Sequence, residues 1–330
     1  MRHWQQWCLG RCLFACGCAW LAGRASAAAG AAGGARGAGS LGWVEDAAWY
    51  DARVASDAAR APGGCCPAAV AVYENRYAAT HFRCCAHGVG KFRPVGGATW
   101  ADHLKRNGTS SLLLSGDSLS EQHFLALLCL AWAEGLPVAG PRSLSPPGEY
   151  TPNWRAVVAE RVEVTFLRSD IPLSRPGIDF KTPTHVVLSG WHHGGTEKLA
   201  AYFSSVSSAR AGRPTLVVEA LPAHFPGNIY RKSNKYPAVT SSVAGAVCSP
   251  GSNATTGNGV DVNAHLAAML HGLPGFRLLS VHRLYALRGD AHVGVAANRW
   301  NISSRDCLHW CVLPGVLDAL ALGTLAAFGG

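Results

Sequence analysis

The sequence predicts an α/β fold, a mostly parallel sheet with helices packed on both faces. Three observations carry that expectation. First, Ser111–Ser115, His185–Ser189 and Thr215–Glu219 are short runs of small and apolar residues, the pattern of strands buried on both sides. Second, helical stretches separate them: Leu119–Glu134 directly follows the first run, and Glu197–Ala211 lies between the second and third. Third, the alternation continues, with a helix over Asn263–Gly272 leading into a strand over Phe276–Val281. Val162–Leu167 alternates as a half-buried strand does, and Ser249–Asn263, rich in Gly, Ser, Thr and Asn, reads as a surface loop.

The chain begins with an address label. Arg2 and Arg11 precede an apolar run, Cys12–Gly23, and Ala25-Ser26-Ala27 is a small-x-small cleavage signature. The run is shorter than the roughly 20 residues that span a bilayer. Residues 1–27 therefore read as a cleaved signal peptide, with a short uncleaved anchor as the alternative, so that any membrane tether is through the N-terminus alone. Residues 28–40 are Ala and Gly with a single Arg and a single Ser; lacking side chains for a core, they form a flexible stem. No second linker of domain-separating length follows, and 41–330 reads as one domain.

Cysteine usage agrees with the label. Of 12 cysteines, Cys8, Cys12, Cys16 and Cys18 lie in the signal segment. The remaining eight are Cys65, Cys66, Cys84, Cys85, Cys129, Cys248, Cys307 and Cys311, an even set that implies disulfides in a secretory compartment. Adjacent cysteines do not readily turn both sulfurs onto one ion, and no C-x-x-C spacing is present, so no metal site is expected. Three acceptor motifs, at Asn107, Asn253 and Asn301, fit glycosylation in the same compartment.

The full chain carries +9, of which Arg2, Arg11 and Arg24 supply +3, leaving +6 after residue 27. Arg155, Arg161, Arg168, Arg175 and Lys181 are scattered and read as a solvated surface. No polybasic block or aromatic-basic alternation marks a nucleic-acid face, and nucleic acid is excluded as a partner. A basic bias is compatible with an acidic polysaccharide.

Two motifs carry candidate chemistry. Gly116-Asp117-Ser118 falls on the turn between the first strand and its helix, at the carboxyl end of the strand, where open α/β sheets expose reactive groups. A serine there has its N–H at a helix start, which favours developing negative charge; the alternative is a helix cap. Near the C-terminus, Asp306 and His309 stand three apart, a spacing that places both on one face of a helical turn. A carboxylate so placed fixes the imidazole's tautomer, and the imidazole takes the proton of Ser118 if the fold unites the two loops. Arg288-Gly289-Asp290 also spells a cell-adhesion tripeptide.

Gly116-Asp117-Ser118-Leu119-Ser120, together with Asp306-Cys307-Leu308-His309-Trp310-Cys311-Val312-Leu313-Pro314-Gly315, resembles the trichome-birefringence-like (PC-esterase) family of plant polysaccharide O-acetyltransferases, a branch of the GDSL/SGNH superfamily. Softer echoes lie in order around these: Gly42-Trp43-Val44, the cysteine-rich Cys65–Lys91, Gly190-Trp191-His192, Pro222-Ala223-His224-Phe225 and Arg288-Gly289-Asp290-Ala291-His292. The resemblance implies an SGNH-like three-layer α/β/α catalytic domain over 41–330, with a disulfide-rich N-terminal segment at 41–95.

It further implies a triad of Ser118 (nucleophile), His309 (base) and Asp306 (orienter). The Ser118 N–H, Gly190 and His192 would form the oxyanion hole, His192 standing where SGNH enzymes usually place an Asn. Cys248 would pair with Cys307, while Cys311 and Cys129 would each reach a cysteine in Cys65–Cys85. The implied activity is O-acetylation of a cell-wall polysaccharide through an acyl-enzyme, with no bound cofactor and an acetyl donor as co-substrate. The implied location is the Golgi lumen, with secretion as the alternative. Hydrolysis of glycan acetyl esters and non-catalytic glycan binding are the competing readings. Three departures from the family pattern bear on this: Glu121 stands where an Arg is usual, Val312 is inserted, and no Trp-Asn follows Asp318.

Overall fold

The computed structural model describes residues 41–60, 91–107, 110–145, 153–169, 177–191, 198–224, 248, 260–297, 303–311 and 315–329. Expectations for the signal peptide, the stem, Cys65–Cys85, His192, Asn253 and Asn301 lie outside them. In chain order the elements are β1 (Gly42–Glu45), α1 (Ala47–Arg60), β2 (Phe92–Val95), α2 (Trp100–Asn107), β3 (Ser110–Gly116), α3 (Ser118–Ala133), β4 (Val138–Ser143), β5 (Trp154–Val158), β6 (Val162–Arg168), β7 (His185–Leu188), α4 (Leu199–Arg210), β8 (Thr215–Val218), α5 (Val260–Leu270), β9 (Phe276–Leu279), α6 (His282–Ala286), β10 (His292–Ala297), β11 (Ser303–Trp310) and α7 (Asp318–Ala327).

Seven strands form one sheet in the order β4-β5-β6-β3-β7-β8-β9. From β6 to β9 neighbouring strands run parallel, while β5 pairs antiparallel with both β6 and β4. The expected mixed α/β architecture with a mostly parallel sheet is thus observed. β3 sits between two parallel partners, so both its faces are covered. Leu112 and Leu114 enter the core shared with α3 and α7, whereas Leu113 joins Val186, Leu188 and Val217 in the core beneath α4 and α5. This two-sided burial explains why the strand reads as an unbroken apolar run.

α3 is buried from Ser118 through Ala131 because the sheet lies on one side and α7 and β11 lie on others. A helix enclosed in this way has no polar face, and its few polar residues need partners from distant parts of the chain. Two smaller antiparallel pairs, β1–β2 and β10–β11, complete the fold.

Three sequence expectations are corrected. The loop expected over Ser249–Asn263 ends earlier, since α5 begins at Val260. Asp306 and His309 lie on a strand instead of a helical turn, because pairing with β10 governs the segment. Arg168, read as solvated, has a side chain only 12% exposed and set against a buried carboxylate. The adhesion tripeptide is likewise occupied: Arg288 is buried between the Trp43 and Phe92 rings and pairs with Asp290.

Candidate active site

Ser118 is the first residue of α3, reached through the turn that ends β3. Asp117 caps the helix, its carboxylate accepting the Leu119 N–H at 2.9 Å. The turn is tight on all sides. A side chain at Gly116 would overlap Ser120 Oγ and the Ser189 carbonyl, and at Gly190, whose φ is +91°, a Cβ would come within 2.5 Å of the Asp117 N. Glycine at both positions lets the chain leaving β7 press directly against the Gly116–Ser118 turn. Ser120 Oγ and Ser189 Oγ, 2.6 Å apart, tie the same two elements.

The second half of the site arrives from β11. His309 Nε2 lies 2.7 Å from Ser118 Oγ, both side chains buried, across 191 residues of sequence. This separation and orientation suit proton transfer from a serine to an imidazole. β11 does not run evenly to that point. Opposite β10, His292 faces Trp310 and Gly294 faces Asp306, so four steps on β11 match two on β10. The irregularity falls on Cys307–His309, where β11 carries two residues more than β10. Asp306 occupies β11; its side chain is outside what the structure describes.

The main chain around His309 is fastened at almost every residue. His224 N–H donates to Cys307 O at 2.9 Å, and Cys311 N–H to Ala291 O at 2.8 Å. His292 Nδ1 donates to His309 O at 3.0 Å. Gln122 takes both main-chain polar groups of Trp310, its Nε2 donating to Trp310 O at 2.6 Å and its Oε1 accepting from Trp310 N at 3.1 Å. The Trp310 ring packs 4.0 Å from His292 and 5.0 Å from Tyr285. Behind these, His224 Nδ1 lies 2.6 Å from His292 Nε2, and His224 Nε2 donates to Ala286 O at 2.8 Å. Burial holds the His224 pKa below its ordinary value.

Cys248 and Cys307, the pair implied by the resemblance, form a disulfide that anchors β11. Cys129 and Cys311 are disulfide-bonded as well. Their expected link to Cys65–Cys85 falls on residues outside those described. Asn107, an expected glycan acceptor, donates its amide to His103 Nδ1 and Phe328 O.

Glu121 stands where the family pattern has an Arg, three residues after Ser118. Its carboxylate is fully buried, accepts the Trp154 indole N–H at 2.7 Å, and faces Arg168 at 3.4 Å. The negative charge is therefore neutralised within α3, β5 and β6. Sequence reasoning missed these partners, and it missed Gln122. The available signal was position: Gln122 stands four residues after Ser118, on the same helix face. Among the described residues no three His, Cys, Asp or Glu side chains converge as metal ligands would.

Comparison with known proteins bears on this arrangement. Residues 197–321 match the model of the PC-Esterase family, described as a GDSL/SGNH-like acyl-esterase family found in Pmr5 and Cas1p. The match takes in Asp306 and His309; Ser118 lies outside it and is brought in by the fold. A stretch of 100 residues is 32% identical to Protein trichome birefringence-like 13 of Arabidopsis thaliana, covering 29% of this chain and 23% of that protein's length. Both findings support the family that the motifs resemble, the family model matching the segment 197–321.

Proposed function

We propose that this protein is a serine-dependent O-acyltransferase that moves an acetyl group onto a polysaccharide hydroxyl. The observation that carries the reading is the 2.7 Å contact between Ser118 Oγ and His309 Nε2 at the start of a buried helix. In the first half-reaction Ser118 gives its proton to His309 and attacks the carbonyl carbon of the donor. The oxyanion that forms meets the Ser118 N–H at the positive end of α3, with Gly190 and His192 as further contributors. The leaving group departs with the proton from His309, which leaves acetyl-Ser118. A sugar hydroxyl then loses its proton to His309 and attacks the acetyl carbonyl carbon; the bond to Ser118 Oγ breaks, and His309 returns the proton to Oγ. Asp306 is assigned to orient His309. The reaction uses no bound cofactor, and the acetyl donor enters as a co-substrate.

The N-terminal label and the disulfides support placement in the secretory pathway, in the Golgi lumen or beyond it, and the sequons at Asn107, Asn253 and Asn301 support glycosylation there. A second reading, hydrolysis of glycan acetyl esters, is favoured by the family's description as acyl-esterase. Incubating the purified chain with an acetyl donor, with and without polysaccharide, separates the two. Acetyl transfer that requires acceptor and vanishes in Ser118→Ala supports the transferase. Donor hydrolysis indifferent to acceptor supports the esterase, and turnover that survives Ser118→Ala overturns both.

A further inference from the structure

Ser118 and Gln122 are one helical turn apart on α3, and His309 and Trp310 are adjacent on β11. The nucleophile and the base thus each stand beside one end of a two-bond clamp between a side-chain amide and a main-chain peptide. The clamp reproduces the donor–acceptor exchange of a strand pair, but it is made by a helix. α3 is a helix, so its main chain is committed internally and offers β11 no ladder. One buried Gln supplies both bonds instead, and it does so at the residue next to the base.

We propose that Gln122 is a positioning residue for the reaction: it sets the approach of His309 to Ser118 by fixing the Trp310 peptide, and touches no substrate. The proposal rests on Ser118 and His309 being nucleophile and base. The geometry makes it specific. His292 and Ala291 hold the 309–311 main chain from the β10 side, and the Cys248–Cys307 bridge anchors it upstream. Of these named contacts only those of Gln122 come from the helix that bears the nucleophile. Loss of the clamp leaves β11 paired and bridged but frees its distance from α3. Catalysis is sensitive to such drift, since a misplacement of about 1 Å costs about 10²-fold.

The test uses the full chain, a fluorophosphonate probe that reports serine nucleophilicity without knowledge of the substrate, and three proteins: wild type, Gln122→Met and Gln122→Glu. Labelling extent reports the folded fraction; the labelling rate constant reports the Ser118–His309 geometry. Gln122→Met, similar in length but without the amide, should label fully with a rate constant reduced about 10²-fold. Gln122→Glu in its protonated form can donate to Trp310 O and accept from Trp310 N; as a carboxylate it cannot donate. Its rate relative to wild type should therefore rise as pH falls. A merely structural role would lower extent or melting temperature in both variants and leave the rate ratio flat.

Full-extent labelling of Gln122→Met within about twofold of the wild-type rate overturns the proposal. So does a Gln122→Glu ratio that does not change with pH, and that arm decides the matter if the Met variant fails to fold. If wild type itself does not label at Ser118, the catalytic reading fails. Hydrogen exchange of the Trp310 amide then decides the clamp alone: faster exchange in the variants retains it, and unchanged exchange removes it.

Discussion

His123 makes α3 sensitive to acid, by an amount that follows from its burial. Its ring is enclosed between α3 and α7, with Nε2 2.9 Å from Thr324 Oγ1, and burial pushes its pKa down to about 3. In the unfolded chain the same group titrates near 6.5. Between these values the unfolded state binds a proton that the folded state refuses. Stability is therefore complete above about pH 6.5 and falls as pH drops toward 3, by about 5 kcal/mol in total and about 2 kcal/mol between pH 7 and 5.

The measurement is urea unfolding of wild type and His123→Gln at pH 7, 6 and 5. Gln retains a partner for Thr324 and has no proton to take up in this range. His185, whose pKa burial lowers to about 4, and His103 and His224, lowered for the same reason, titrate in both proteins and cancel in the difference. Wild type should lose about 2 kcal/mol more than the variant between pH 7 and 5. Parallel curves would refute the reasoning, because they would mean that His123 exchanges its proton as freely folded as unfolded.

Other perturbations test the frame around the site. Glu121→Leu leaves the Trp154 indole and the Arg168 guanidinium without this carboxylate, and should cost about 3–5 kcal/mol in chemical denaturation; a change below about 1 kcal/mol would mean that the pairing contributes little. Gly116→Ala places a methyl group against the Ser189 carbonyl, which is main chain and cannot swing aside, so it should cost about 1–3 kcal/mol and slow labelling of Ser118. Replacing Cys248 and Cys307 by Ser opens a cross-link between positions 59 residues apart and should destabilise by about 4 kcal/mol, read from the shift in urea midpoint under non-reducing conditions.

How much of this was legible in the sequence depended on how local each cause was. Leu112–Leu114, Val186–Leu188 and Leu216–Val218 announce themselves because strands covered on both faces are apolar without interruption. The Gly116–Ser118 turn was readable for the same reason: a strand, a glycine and a helix start fix where the serine stands. The β11 segment was not readable in this way. Asp-x-x-His has helical spacing, but the conformation is set by β10 and by the irregular register opposite it.

Glu121 was misleading by itself, since its meaning lies in Trp154 and Arg168, which come 33 and 47 residues later. Gln122 was silent because a glutamine on a helix is ordinary until its partner, 188 residues away, is known. The candidate catalytic pair and the Cys248–Cys307 bridge were named from sequence, whereas the partners of Glu121 and Gln122 needed the fold.

Acylation of Ser118 with the help of His309 is the central claim. The most direct measurement is mass spectrometry of the purified chain quenched in acid during turnover with an acetyl donor, comparing wild type, Ser118→Ala and His309→Ala. An acetyl group on the peptide containing Ser118 in wild type, absent from the Ser118 variant and strongly diminished in the His309 variant, is the predicted result. Turnover with acetyl on a different residue, or equal acetylation of Ser118 without His309, would contradict it.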